Sequence, residues 1–279
     1  MILVTGATGN IGSALLGQLH AAGCAPLRGL TRDAARASFP AGVEAVEGDL
    51  ARPDSLGAAL DGVRSLFLLH GMGAEADVLA AAGKAGVEHV VLVSSITVQT
   101  HPHLAAAGEN LAAERSLQDS GMAWTILRPT QFASNALWWA QEIRDHGAVR
   151  VPYPDVGLPA VHPADIAAVA KVALTEPGHH GRTYALTGPE RITPRRQVEA
   201  IAAAAGRAVS LVEVDPREAH REMAAFLGDE TARAVLDLMG GDVNDELLKV
   251  RDTVRRLTGS PGRSFQEWAA ENGAAFAAG

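Results

Sequence analysis

Several residue types are scarce in this 279-residue chain, and each scarcity excludes something. There is one cysteine, Cys24, which rules out an internal disulfide and a cysteine metal cluster. It stands near the end of the first expected helix and reads as packing. Only three lysines occur, Lys84, Lys171 and Lys249, and only two tyrosines, Tyr153 and Tyr184. Positive charge is short: the formal balance is −8 and the isoelectric point is near 5.7. That argues against a nucleic-acid partner or an anionic membrane surface. Any phosphate site must then be local and built from a few groups. No apolar run is long enough to span a bilayer, and no basic leader precedes the first strand. The expectation is a soluble cytoplasmic protein.

What is present begins at the amino terminus with MILVTGATGNIG. Ile2 to Val4 form an apolar, mostly β-branched run of strand length. Gly6, Gly9 and Gly12 follow at three-residue spacing, and SALLGQLHAAG then carries apolar residues at helical spacing. Strand, glycine turn and helix in this order open a dinucleotide-binding unit. One glycine lets the chain turn sharply. Another removes a side chain where a pyrophosphate must approach the backbone. The last lets helix and strand pack closely. The helix N-terminus offers N–H groups to the phosphates. Gly6, Thr8, Gly9, Asn10, Ile11 and Gly12 are therefore candidate cofactor contacts.

Ala25 to Thr31 reads as a second strand, ending at Arg32. A residue about twenty positions after the glycines separates the two nicotinamide cofactors. Arg32 can pair with a 2′-phosphate, and Asp33 beside it is a contrary sign. The reading favours NADP(H), with NAD(H) as the alternative. Val43 to Val46 is a short strand followed by Asp49 and Leu50. The Asp49 carboxylate can accept an adenine amino group or cap a helix starting near Pro53. Ser65 to Leu69 is a continuous apolar strand, suited to the middle of a parallel sheet. Leu69 leads into His70-Gly71-Met72-Gly73, a flexible turn expected beside the cofactor ribose. A helix over 75–85, a strand over His89 to Val93, Ser94 and Ser95 come next. A helix over 105–120, a strand over Trp124 to Leu127, then Arg128, Pro129 and Thr130 complete the alternation. This is the pattern of an α/β, Rossmann-type doubly wound parallel sheet, with ligands beyond the carboxyl ends of the strands, so Arg32, Asp49, Leu50, Leu69, His70, Gly71, Ser94, Ser95 and Pro129 are candidate cofactor contacts and Thr130 a further candidate site residue.

From about residue 132 the rhythm changes. FASNALWWAQEIRDHG reads as one helix, carrying Phe132, Trp138 and Trp139. A short strand, a loop and a helix from Pro163 follow, with Asp165 in its first turn, where it meets the helix dipole. Arg182 to Thr187 reads as a last strand that joins the sheet. Pro194 to Gly279 is mostly helical, with one strand over Val209 to Val214. Residues 1–150 are expected to form the cofactor-binding domain. Residues 151–279 are expected to form a smaller, mostly helical lobe that shapes a substrate pocket.

VTGATGNIGSALL, Arg32, EGDL, VVLVSS, SGMAWTILRPTQFASN, HPADIAAVA and YALTGPERIT occur in this order. The set resembles the NmrA-like atypical short-chain dehydrogenase/reductases over nearly the whole chain. The resemblance implies an NAD(P)-binding domain with a small C-terminal substrate lobe. It also implies quinone reduction, other hydride transfer, or redox sensing without catalysis. Some such relatives act on aromatic polyketides, in a hydroxylation that can need a partner protein.

One departure bears on the chemistry. The wider superfamily uses a tyrosine with a lysine four residues on. Here Tyr153 and Tyr184 are followed at that spacing by Gly157 and Gly188, and the expected helix holds alanines and Asn110. Without that acid, hydride addition to a simple ketone leaves an alkoxide that is too basic to form unaided. A quinone instead gives a phenolate-type anion, whose conjugate acid has a pKa near that of tyrosine, about 10. Candidate catalytic groups are His101, His103 and Gln131, since a histidine near neutrality can protonate or orient a phenolic oxygen. Candidate substrate contacts are Phe132, Trp138, Trp139 and His162. Two adjacent tryptophans on a helix cannot share one face, so one belongs to a core or interface. Glu109 and Glu114 are candidate pocket members, but read better as solvated helix surface or capping. A non-catalytic dinucleotide sensor stays open beside the reductase.

Overall fold

The computed structural model describes residues 1–71 and 73–277. Met72, part of the glycine-rich turn, lies outside the described residues. The strands are β1 (Ile2–Val4), β2 (Leu27–Thr31), β3 (Val43–Glu47), β4 (Ser65–Leu69), β5 (His89–Val93), β6 (Ala123–Pro129), β7 (Ala148–Val151), β8 (Arg182–Leu186) and β9 (Ser210–Glu213). Seven of them pair in parallel in the order β3-β2-β1-β4-β5-β6-β8. Strand order reverses between β1 and β4, the place where a doubly wound sheet opens a crevice for a ligand. Strands β4 and β5 are continuous apolar runs because helices cover both faces of the sheet. Strand β2 starts at Leu27 and not at Ala25, since Pro26 has no N–H to give to the ladder.

The chain divides into two compact units, and not by a single cut at residue 150. The first comprises Met1–Pro129, Pro163–Leu186 and Thr253–Pro261. The second comprises Thr130–His162, Thr187–Asp252 and Gly262–Gly279. The chain returns to the first unit because the Pro163–Thr175 helix has an almost wholly apolar buried face, including Ile166, Ala167, Val169, Ala170 and Val172. That face packs against the Asn10–Ala21 helix on one side of the sheet, where Gln18 Nε2 donates to the Ala164 carbonyl at 2.9 Å. The opposite side holds Leu3, Leu60, Leu66, Leu68, Leu79, Leu92, Leu117 and Ile126. Strand β8 joins at the edge of β6, as its sequence pattern implied.

In the second unit β7 pairs in parallel with β9. Its core gathers Ile143, Val149, Val151, Ile192, Ile201, Phe265, Trp268 and Phe276. The single helix expected from Phe132 is instead a 3-10 segment, Ala133–Trp139, followed by an α-helix, Ala140–His146. The Asn135 N–H turns back to the Phe132 carbonyl at 3.0 Å while the Ala133 N–H goes to Val161 at 2.9 Å. The entry is thus wound tighter than an α-helix. No helix among the described residues is long and apolar enough to cross a membrane.

Candidate functional site

The glycine turn is built backbone on backbone. Thr5 leaves β1 with its N–H on the Phe67 carbonyl at 3.0 Å, and its Oγ1 accepts the Leu69 N–H at 3.0 Å. These two bonds tie the turn to the end of β4. Gly6 has φ +58°, and the Gly9 N–H closes on the Gly6 carbonyl at 2.9 Å. A Cβ on Gly12 would lie 2.2 Å from the Gly6 carbonyl oxygen, so only glycine lets the helix sit there. The Asn10–Ala21 helix carries no side-chain cap at Gly9. The N–H groups of Asn10, Ile11 and Gly12 precede the first intrahelical bond, from Ser13 to Gly9 at 3.0 Å. Thr8, Gly9 and Asn10 are exposed, and Ile11 is buried, so it offers only backbone. A closed-off Cβ position and an uncapped helix start fit a pyrophosphate.

Around this turn lie the other strand ends of the first unit. Arg32 is exposed just past β2. Its acidic neighbour Asp33 is turned to its own backbone, where Oδ1 accepts the Arg36 N–H at 3.3 Å. Asp49 does not cap the Pro53–Leu56 turn; Arg52 holds that position, with no side-chain cap. The Asp49 carboxylate accepts the Ala51 N–H at 3.0 Å and Arg52 Nε at 3.2 Å. The Ala51 bond first, then Arg52 and Arg32, hold this carboxyl below its ordinary pKa. Leu50 packs against the core. The Leu69 side chain lies against the turn, 3.1 Å from where a Gly6 Cβ would stand. Buried Glu75 anchors the loop after β4: its Oε1 accepts the Gly71 N–H at 2.8 Å and lies 3.2 Å from His70 Nδ1. No sequence signal had singled out Glu75, although an acidic residue in the first turn of a helix, four places after a loop glycine, was visible.

Beyond β5 and β6 the ladder continues past the expected ends. The Ser94 N–H reaches Leu127 at 2.8 Å and the Ile96 N–H reaches Pro129 at 3.0 Å. Ser95 Oγ is used locally, accepting from the Thr97 N–H at 3.2 Å and from the Thr97 hydroxyl at 2.8 Å. Ser94 Oγ donates to Glu114 Oε1 at 2.5 Å. Glu114 is 1 % exposed, which corrects its reading as solvated surface, whereas Glu109 is exposed as read. Arg128 closes on it with Nε to Oε1 at 2.9 Å and Nη2 to Oε2 at 2.5 Å. Asn110, one helical turn before Glu114, places Oδ1 3.4 Å from Ser94 Oγ. The helical spacing of Asn110 and Glu114 was the available signal, and surface glutamates are common enough to outweigh it.

The histidine and aromatic candidates separate. His101, in the first unit, is fully buried with Nδ1 2.9 Å from Thr100 Oγ1, and its ring is 5.8 Å from that of exposed His103. In the second unit, Phe132 pairs with Val161 and the Gln131 carbonyl accepts the Val161 N–H at 2.9 Å. Gln131 and Phe132 therefore run beside Val161 and His162. His162 is buried, with Nε2 3.3 Å from Glu271 Oε2. Trp139 packs on the second unit's core, while Trp138 is 77 % exposed, as adjacent positions on one segment require. Asp165 is buried in the first turn of its helix. Among the described residues no three His, Cys, Asp or Glu side chains are grouped to hold a metal.

Residues 6–177 match the family described as NAD(P)H-binding. The chain is 40 % identical to a (4-alkanoyl-5-oxo-2,5-dihydrofuran-3-yl)methyl phosphate reductase of Streptomyces griseus, over 99 % of each chain. It is 37 % identical to an NAD(P)H azoreductase of Xenophilus azovorans, over 100 % of each. Among solved structures, the NADPH-dependent quinone oxidoreductase QOR2 of Escherichia coli complexed with NADPH superimposes with a TM-score of 0.79 at 25 % identity. That match covers 97 % of this chain and 99 % of the other.

Proposed function

The chain belongs to the NAD(P)H-binding family, and from that premise we propose that it carries hydride from NADPH to a quinone or polycyclic aromatic acceptor. It is an NAD(P)H-dependent oxidoreductase. The observation that carries the acceptor class is the missing acid. Tyr153 belongs to the second unit, and Tyr184 lies on β8 with its hydroxyl 2.9 Å from His179 Nδ1. The Ala105–Gln118 helix offers Asn110 and Glu114 in place of a tyrosine and a lysine.

When bound, the nicotinamide supplies the hydride. Around it the chain's own groups have limited tasks. The glycine turn and the start of the Asn10–Ala21 helix hold the pyrophosphate. Arg32 pairs with a 2′-phosphate. Glu75 keeps the loop after β4 in place through the Gly71 N–H. None of these delivers a proton, so the acceptor must carry its new negative charge by conjugation. A quinone spreads it over a phenolate-type ring and takes a proton from water or a histidine later. The relatives' printed acceptors support this reading: an azo group, a quinone, and a ring bearing oxo and alkanoyl groups are all electron-poor π systems. A reduced quinone also passes electrons to dioxygen, which is how the same step would serve an aromatic hydroxylation with a partner protein.

The test mixes protein and NADPH with a panel of quinones and simple ketones and follows cofactor absorbance. Quinone turnover should exceed ketone turnover by about a hundredfold or more, the worth of a general acid. Good ketone turnover without quinone turnover would reject the proposal. Tight NADPH binding with no acceptor turned over would replace it by a dinucleotide sensor.

A further inference from the structure

Glu114 is a buried carboxylate to which nothing above gives a task. Burying it requires partners, and it has them: Arg128 covers both oxygens, with Nε at 2.9 Å from Oε1 and Nη2 at 2.5 Å from Oε2. A carboxylate held this way only accepts hydrogen bonds. Ser94 Oγ, 2.5 Å from Oε1, must therefore spend its single proton on Glu114. The other neighbour, Asn110, also presents an acceptor, since its Nδ2 is given to the Ala106 carbonyl at 2.7 Å and its Oδ1 faces Ser94 at 3.4 Å. No proton is left on Ser94 for anything else, and its two lone pairs can only accept. Ser94 directly follows β5, at the carboxyl edge where doubly wound sheets hold their ligands.

We propose that Glu114 is a positioning residue which, through Ser94, makes the strand-end hydroxyl an acceptor for a ligand O–H or N–H group. The donor is carried either by the nicotinamide end of the cofactor or by the hydride acceptor. The inference rests on the NAD(P)H reading, and it deepens that reading. The site lacks a tyrosine acid, and the Ser94 hydroxyl, which could have steadied an oxyanion, is turned the other way. Glutamine at 114 leaves one carbonyl oxygen for the three donors of Ser94 and Arg128, which loosens the hold on the Ser94 proton, and where its N–H2 faces Ser94 the hydroxyl reverses, so that a ligand donor meets a donor.

The experiment compares Ser94→Ala, Glu114→Gln and the double variant. It measures the NADPH dissociation constant by fluorescence without acceptor, KM for 5-hydroxy-1,4-naphthoquinone and for 1,4-naphthoquinone, and the unfolding midpoint. If the cofactor carries the donor, each single variant weakens NADPH about fivefold to tenfold. If the acceptor carries it, NADPH affinity holds and only KM for the hydroxylated quinone rises by that factor. In both arms the double variant is no worse than the worse single one, because the two residues act in series. Unchanged constants, or effects that multiply in the double variant, overturn the proposal and leave Glu114 a packing residue. Should Glu114→Gln not fold, Ser94→Ala alone decides, since unchanged constants in that variant overturn it too. Failure of the unsubstituted protein to bind NADPH would instead sink the proposed function.

Discussion

Arg32 and Asp33 show how one residue's task depends on its neighbour's. Side by side in sequence they send opposite signals about the cofactor. Asp33 spends its carboxylate on the Arg36 N–H, and Arg32 stays exposed at the end of β2. In a chain of net charge −8 a 2′-phosphate needs such a local cation. Replacing Arg32 with alanine should weaken NADPH binding about tenfold or more, the worth of a charge-assisted hydrogen bond. NADH binding should change by less than about twofold. Titrations with both nucleotides check this, and equal losses would show that Arg32 holds no phosphate.

Elements impose tighter limits than residues do. The Asn10–Ala21 helix approaches the turn so closely that a methyl on Gly12 would press on the Gly6 carbonyl at 2.2 Å. Backbone cannot swing aside as a side chain does. Gly12→Ala should therefore lower stability by about 1–3 kcal/mol, the usual penalty of overpacking, and weaken NADPH together with it. Denaturant titration and nucleotide binding on one preparation would show both losses. Gly17, on the same helix, has open space where its Cβ would stand, so Gly17→Ala is the control that should do neither. The elements also differ in how far they could be read. β4 and β5 occur with the limits their apolar runs implied, because a strand buried on both faces leaves few alternatives. The segment from Phe132 has helical periodicity throughout, yet its first half is a 3-10 turn, because the pairing of Phe132 with Val161, 29 positions away, sets how it begins.

At the scale of the molecule, the edge of the sheet opposite the strand carboxyl ends carries a pH dependence. His89 opens β5, its Nε2 is 3.2 Å from Thr125 Oγ1, and its ring is 4.4 Å from that of His180. Burial first, then the charges of His180 and His179, lower its pKa from 6.5 to about 4. The unfolded chain thus takes up this proton near 6.5 and the folded chain only near 4. Acidification through that window favours unfolding, while above 6.5 the group contributes nothing to pH dependence. The loss should be about 2 kcal/mol after allowance for screening, and His89→Asn should flatten it. Denaturant midpoints measured from pH 8 to pH 4 would decide.

The amino-acid order by itself determined the NAD(P)-binding framework of this protein, its glycine turn and its alternating strands and helices, and it put an arginine just past β2 and no lysine four places after either tyrosine. Those features are local. Each depends on spacing within a few residues, and periodicity and glycine placement write such spacing directly into the chain. Only the tertiary structure decided that the helix from Pro163 returns to the sheet, and that Glu75 anchors the loop after β4. It alone decided that Glu114 is a buried carboxylate holding the Ser94 proton. A glutamate on a helix reads as solvated until a serine 20 positions before it and an arginine 14 positions after it are brought to the same oxygen atoms. Burial and pairing of charge are set by contacts distant in sequence, and those contacts exist only once the sheet has formed.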